Sequence, residues 1–372
     1  MMNVLVAMDS FKGSLSSKEA GEAVKVGVHR VFPDSFVDVI PIADGGEGSL
    51  EAISSLPGQF ETVVIHQLDG KKREARYYRT NKAAYIESAE AVGLHLIDAE
   101  ELVPYRLTSY GIGELILDAE KKGSKDIYVF LGGTGTTDGG LGMLQALGVK
   151  CFDSSNNELP STHNPLLHTT SIQRSTQRVK ANLYLVTDVD NPYHGELGAA
   201  YVFGPQKGMK KSDVPVYDAA LRKAATLLSI SGQEKGAGGA GGIGGALYSL
   251  GATRVAGIEW MLDHLKVEEK LKKANVIFTG EGQIDRQTAY GKVPAGVGGL
   301  AYKHKIPCFA LAGHVVEPVD NLYEKLTSVV SIQQGCHTLE HAIDPEITKS
   351  QLAYSAEQVV RIWKSSRQVS EK

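Results

Sequence analysis

Short apolar runs punctuate the chain, and most of them close in a loop rich in Gly and Asp. Residues 4–8 lead into Asp9-Ser10-Phe11-Lys12-Gly13-Ser14, and residues 36–40 into Ala43-Asp44-Gly45-Gly46-Glu47-Gly48. Residues 126–131, 183–186, 274–278 and 307–311 behave alike, ending in loops at 132–140, 187–192, 279–282 and 312–314. Residues 328–332 form one more candidate strand. Helical patterns fill the stretches between. After the first loop, Ser16 or Ser17 can cap a helix with Glu19 in its first turn. Strands alternating with helices predict an α/β fold on a doubly wound, mostly parallel sheet, Rossmann-like or flavodoxin-like. Ligands of such sheets bind beyond the carboxyl ends of the strands, where nearly all of these loops fall.

Two stretches break the alternation. Residues 61–88 read as three consecutive strands with a turn at Asp69-Gly70, an antiparallel arrangement. Residues 151–262 mix a polar loop, a strand, a helix and a Gly-rich segment. They predict a second, mixed α/β domain inserted into the first. The expected division gives residues 1–60, 105–150 and 265–372 to the Rossmann-like domain, and 61–104 with 151–264 to the second. No internal repeat of about 20–50 residues is visible, which excludes solenoids and propellers.

Composition narrows the partners. Of 372 residues, 41 are Gly, well above the about 7% of an average protein. The excess sits in discrete loops, where backbone can approach a ligand closely. A net charge of −4 with no basic block gives no footing for nucleic acid or a membrane surface. Cys151, Cys308 and Cys336 are far apart and form no CxxC, so they read as reduced thiols of a cytoplasmic protein. The apolar run at 4–8 lacks a basic leader and reads as a first strand, not a signal peptide. No run of about 18 apolar residues exists, so no transmembrane helix is expected.

Several catalytic signatures are missing: GxxxxGK[ST], HRD, DFG and GxSxG do not occur. A GxGxxG at Gly236, Gly238 and Gly241 follows a helical, polar stretch and not the strand a dinucleotide fold requires. His337-Thr338-Leu339-Glu340-His341 matches HxxEH, but no third ligand accompanies it, and it reads as a solvated helix start. The run at 236–246 has seven Gly in eleven residues. It leads straight into apolar sequence, so it reads as backbone packed on a nucleotide or phosphate and not as a linker.

Acidic residues gather in or beside these loops: Asp9, Asp44, Glu47, Asp138, Asp188, Asp190, Glu281 and Asp285. Any one of them alone is more simply a turn or cap residue. Asp188 and Asp190 are two apart, and in an extended segment both carboxylates would face one side and could meet one Mg²⁺. Lys12, Lys207 and Lys292 lie in the same kind of loop. Gly backbone, lysines and carboxylates together suit phosphoryl transfer, which is catalysed mainly by positioning and charge neutralisation.

These motifs, taken in order, resemble the class I bacterial glycerate kinases over nearly the whole chain. The matching blocks are DSFKGSLS (9–16), ADGGEGS (43–49), TSYGIGELI (108–116), DGGLGMLQALG (138–148), VTDVDNP (186–192), FGPQKG (203–208), GAGGAGGIGGAL (236–247), TGEGQID with QTAYGK (279–292) and ALAG (310–313). The resemblance implies Mg²⁺- and ATP-dependent phosphorylation of D-glycerate, with 2-phosphoglycerate favoured over 3-phosphoglycerate. It implies two α/β domains with the active site between them, and leaves open whether the protein is a homodimer. The chain departs from the family at 103–106, at 134–137 and at Gln283, which stands for an Arg and cannot act as a cation. A kinase for another small hydroxy acid, or a nucleotide sensor without catalysis, are the alternatives.

Loops and resemblance together define an expected site. Asp188, Asp190 and Lys12 are expected to be catalytic, with Asp188 and Asp190 also holding the metal. Asp9, Ser10, Lys12, Asp44, Gly45, Gly46, Glu47 and Asp285 are expected to bind substrate. Gly236, Gly238, Gly239, Gly241, Gly242, Lys207, Glu281 and Lys292 are expected to bind nucleotide.

Overall fold

The computed structural model describes residues 2–370 apart from Gln177, Arg178 and Tyr290; Tyr290, part of the QTAYGK match, therefore lies outside the described residues. The chain opens with strands β1 (Asn3–Met8) and β2 (Phe36–Pro41). β3 (Gln59–His66), β4 (Lys72–Arg79) and β5 (Ala83–Glu87) follow as antiparallel neighbours. Next come β6 (Asp126–Phe130), a small ribbon of β7 (Lys150–Phe152) and β8 (Ser171–Gln173), then β9 (Asn182–Val186) and β10 (Thr253–Val255). β11 (Val276–Ile284), β12 (Cys308–Val315) and β13 (Ser328–Ser331) complete the set.

Two compact units result, residues 1–44 with 257–372, and residues 45–256. The first is an all-parallel sheet in the order β13-β12-β11-β1-β2. Counted along this unit alone, that is the flavodoxin-like order. Strand alternation sends Val4, Val6 and Met8 to one face, where they share a core with Val24 and Val28 of the helix Ser17–His29 and Leu352 and Val360 of the helix Pro345–Ser370. Leu5, Ala7 and Ile277 are as deeply buried on the opposite face, so the sheet is covered on both sides, as parallel sheets are. The first helix starts where its sequence says it should. Ser16 Oγ accepts the Glu19 N–H, and the Glu19 carboxylate accepts the Ser16 N–H at 3.1 Å, a complete capping box.

The second unit holds a six-stranded mixed sheet, β10-β9-β6-β5-β4-β3. β5, β6, β9 and β10 run parallel, and β4 and β3 add antiparallel edges. Tyr85, Tyr128 and Tyr184 occupy one register across β5, β6 and β9 and stack at 5.4 and 4.5 Å between ring centroids. The other face, with Ile86, Val129 and Leu185, packs on a core that includes Leu115, Leu141, Leu221 and Ile243. The division thus differs from the one expected. Residues 45–60 and 105–150, assigned by pattern to the Rossmann-like domain, belong to the second unit, because β6 finds its partners in β5 and β9.

The strands of the first unit also run further than expected. β11 continues through Thr279-Gly280-Glu281-Gly282, paired with 310–312 of β12, so the predicted loop is the end of a strand. Among the described residues, no helix is long and apolar enough to cross a membrane.

Candidate active site

In the first unit, β1 is flanked by β11 on one side and β2, its successor in sequence, on the other. The winding therefore reverses between β1 and β11, and an open parallel sheet leaves a crevice beyond its strand ends at that point. Asp9 directly follows β1, and its N–H donates to the Gly280 carbonyl on β11 at 2.8 Å. Only 6% of Asp9 is exposed, and its carboxylate accepts the Ser10 N–H at 2.6 Å. Burial pushes its pKa up to about 8, aided by the charges of Asp44 and Glu281 and opposed by the Ser10 N–H and Lys12.

Glu281, near the end of β11, accepts from Thr288 Oγ1 at 2.8 Å and from Lys292 Nζ at 3.1 Å. Burial holds its carboxyl above the ordinary range against the pull of both partners. For Lys292, burial favours loss of the proton, but the Glu281 charge and hydrogen bond outweigh it and the ammonium is retained. Lys12 is exposed and makes no close ion pair among the described residues. Three carboxyl groups and two lysines, more than 230 residues apart in sequence at the extremes, thus meet at the switch point and open on a cavity of about 840 Å³ within this unit.

Comparison with known proteins agrees with this chemistry. Residues 4–364 match the profile of the glycerate kinase family. A glycerate kinase of Halalkalibacterium halodurans is 36% identical over 368 residues, covering 92% of this chain and 96% of that protein. The glycerate 2-kinase of Escherichia coli is 37% identical over 354 residues, covering 92% and 93%. A crystal structure described as "putative glycerate kinase 2 from Salmonella typhimurium LT2" superposes with a TM-score of 0.83 at 34% identity, covering 99% of both chains. The chain belongs to the glycerate kinase family. Its α/β architecture of mostly parallel sheets is the one found in that solved structure.

Other expected site residues of this family member have different local roles. Asp285 caps the turn Arg286–Ala289, accepting the Thr288 N–H at 3.3 Å, and takes a hydrogen bond from Gln283 Nε2 at 3.2 Å. Gly45, Gly46 and Glu47 belong to the second unit. The turn that follows them is held by buried Glu87, whose two carboxylate oxygens accept the Gly48 and Leu50 N–H groups at 3.2 Å each.

In the second unit, β9 ends at Val186 and the chain bends at Asp188. The extended geometry that would put Asp188 and Asp190 on one side is therefore absent. Asp188 is partly buried at the bend. Asp190 is exposed and bound by Lys235 Nζ at 2.8 Å and Arg254 Nη2 at 2.7 Å, which hold its pKa below the usual carboxylate range. With two cations already on it, Asp190 has little charge left for a metal. Asp138 is fully buried and accepts four hydrogen bonds, from the Ser109 N–H and Oγ and the Gly140 and Gly142 N–H groups. It ties two loops together, the structural role open to any turn Asp.

The Gly-rich run has a packing role. Gly236, Gly238, Gly239, Gly241 and Gly242 are all buried by protein. A Cβ on Gly238 would overlap the Pro192 carbonyl oxygen, and one on Gly241 the Thr136 carbonyl oxygen. Ala240, Gly241 and Gly242 take left-handed φ values of 54°, 72° and 98° before the helix resumes. The run lets one backbone lie directly on another, which requires Gly as much as a nucleotide would. Lys207 is only 3% exposed. It donates to Thr134 Oγ1 at 3.0 Å and the Thr136 carbonyl at 2.7 Å, so it braces the 132–137 loop from inside. Thr288, Glu87 and Gln333, which lines the cavity, escaped the sequence reading, since a lone Thr, Glu or Gln carries no spacing signal.

Proposed function

We propose that this protein transfers the γ-phosphoryl group of ATP to a hydroxyl of D-glycerate, giving 2-phosphoglycerate and ADP. The observation that carries the reading is the meeting of Asp9, Asp44, Glu281, Lys12 and Lys292 at the switch point, in a chain whose relatives are named glycerate kinases. In the reaction the hydroxyl oxygen bonds to the γ-phosphorus, the bond from that phosphorus to the bridging oxygen breaks, and ADP departs. The hydroxyl proton leaves to a carboxylate or to water. Lys12 and Lys292 stabilise the charge that builds on the transferring group.

Mg²⁺ fits the first unit better than the second. Burial first, and then the charges of Asp44 and Glu281, raise the Asp9 carboxyl to about 8, and a divalent cation beside it would favour the carboxylate. Among the described residues no three His, Cys, Asp or Glu converge as a ready-made cation site. Mg²⁺ rarely needs one, being held by one or two carboxylates together with substrate phosphates. Asp9 and Asp44, which line the cavity together, would hold it. When bound, the ion neutralises phosphate charge. ATP as donor and three free thiols fit a cytoplasmic enzyme.

The decisive measurement is ADP release from ATP with D-glycerate, set beside L-glycerate, lactate, glycolate and larger sugar acids, with ³¹P NMR of the product. D-Glycerate is expected to give the highest kcat/KM and a 2-phosphate resonance. A better acceptor in the panel would replace glycerate in the assignment, and no turnover with any acid would leave the sensor reading in its place.

A further inference from the structure

The cavity of the first unit is much larger than glycerate needs. Pockets for drug-sized ligands span about 300–1,000 Å³, and at about 840 Å³ this one would leave most of its space empty around a three-carbon acid. Its lining runs along the carboxyl edge of four neighbouring strands. Asp9 follows β1, Glu281 lies near the end of β11, His314 lies in β12 and Gln333 follows β13. Three strand-to-strand steps span about 14 Å, the scale of an extended nucleoside triphosphate.

The two ends of this edge differ in chemistry. At β1 and β11 lie Ser10, Lys12 and Lys292 beside the carboxylates. Past β13 lie His337, Leu339, Ala342 and Ile343. Leu339 is 75% exposed and Ile343 38% exposed, although both line the cavity wall. They offer an exposed apolar shelf. Each end also has a buried oxygen without a hydrogen-bond partner, Ser10 Oγ at the charged end and Gln333 Oε1 at the apolar end. Buried polar atoms are normally satisfied, so a ligand with polar groups at both ends and a flat apolar body suits the whole edge. A Gln amide can pair with the amino and ring-nitrogen edge of adenine.

We propose that the nucleotide lies along this edge, inside the first unit. Its base rests on His337, Leu339 and Ile343 with its edge at the Gln333 amide, and its phosphates reach Ser10, Lys12 and Lys292. The proposal rests on the kinase reading for the presence of a nucleotide. It assigns the nucleotide to this edge and not to the Gly-rich run at 236–246, whose glycines are taken up by internal packing.

Calorimetric titration of MgATP and MgITP into the full-length protein tests it. Leu339→Asp and Ile343→Asp change exposed side chains, and their melting temperatures check that folding is intact. Each is expected to weaken MgATP binding at least tenfold, while the KM for D-glycerate moves less than threefold. Gln333→Leu is expected to bring the affinities for MgATP and MgITP to within twofold of each other. MgATP affinity within twofold of wild type in both Asp variants would overturn the proposal, as would wild-type protein that binds no MgATP. If wild type binds MgATP and the Asp variants lose it, but no glycerate is phosphorylated, the nucleotide site stands and the acceptor assignment falls.

Discussion

Lys12 is the residue where a structural and a functional role separate most cleanly. A surface ion pair with Asp9 or Asp44 would give it a modest stabilising role of about 0–1 kcal/mol. No close pair forms among the described residues, and the ammonium is left at the mouth of an acidic cavity. Gly13 turns the chain behind it at φ 78°. Lys12→Ala is therefore expected to lower kcat/KM for glycerate more than tenfold, a loss of about 1.4 kcal/mol of transition-state stabilisation, with no change in melting temperature. Lys12→Arg keeps the charge but replaces a compact ammonium with a planar fork, and should restore only part of the rate. Steady-state kinetics with both variants decides it, and activity within about twofold of wild type in Lys12→Ala would remove the residue from the site.

At the scale of elements, the segment Gly239–Ser249 shows how a Gly-rich run can serve the fold. Three left-handed residues at its start swing the backbone onto the 136–139 loop, and Gly139 N–H donates to the Gly241 carbonyl at 3.0 Å. Gly241→Ala would add a methyl against the Thr136 carbonyl, an overpacking worth about 1–3 kcal/mol. The left-handed φ adds about 1–2 kcal/mol for any residue with a Cβ. A fall in melting temperature of about 5 °C or more is expected, with the KM for ATP unchanged in the folded fraction. Unaltered melting with a raised KM for ATP would return the segment to the nucleotide site. β11 teaches a related lesson, because its Thr279-Gly280-Glu281-Gly282 stretch looks like a loop by composition and is a strand by pairing.

For the molecule as a whole, two buried groups of the second unit set an expected pH dependence of stability. Burial raises Glu87 to about 7, with Glu90 and Glu47 adding to it and the Leu50 and Gly48 N–H groups opposing. Between its ordinary value of 4.5 and about 7 the folded state therefore holds more protons than the unfolded one. Stability from this group is full below pH 4.5 and is lost as pH rises to about 7. Burial lowers Lys207 from 10.5 to about 7, with Asp138 opposing. From about pH 7 to 10.5 the unfolded chain holds the extra proton, so this contribution grows with pH. Melting temperatures from pH 4.5 to 9 should show Glu87→Gln losing the fall on the acid side and Lys207→Met losing the rise on the alkaline side. Profiles of both variants parallel to wild type would show that neither group titrates as described.

The sequence by itself determined the local and the inherited features. Apolar runs marked ten of the thirteen described strands and missed the three-residue β7, β8 and β10, Ser16 or Ser17 with Glu19 marked the first helix start, and nine motif blocks marked the family. These signals are local in the chain, and hydrophobic periodicity reads them directly. Tertiary structure decided what depends on partners far apart in sequence. β6 has the same apolar pattern whichever sheet it joins, and only pairing with β5 and β9 placed it in the second unit. Asp190 looks like a metal ligand until Lys235 and Arg254 close on it. Glycines at 236–242 read alike whether a nucleotide or the Thr136 carbonyl comes near. Asp9 and Glu281 come together because β1 and β11 are neighbours in a sheet. Sequence spacing does not encode that adjacency; backbone hydrogen bonding between distant strands creates it.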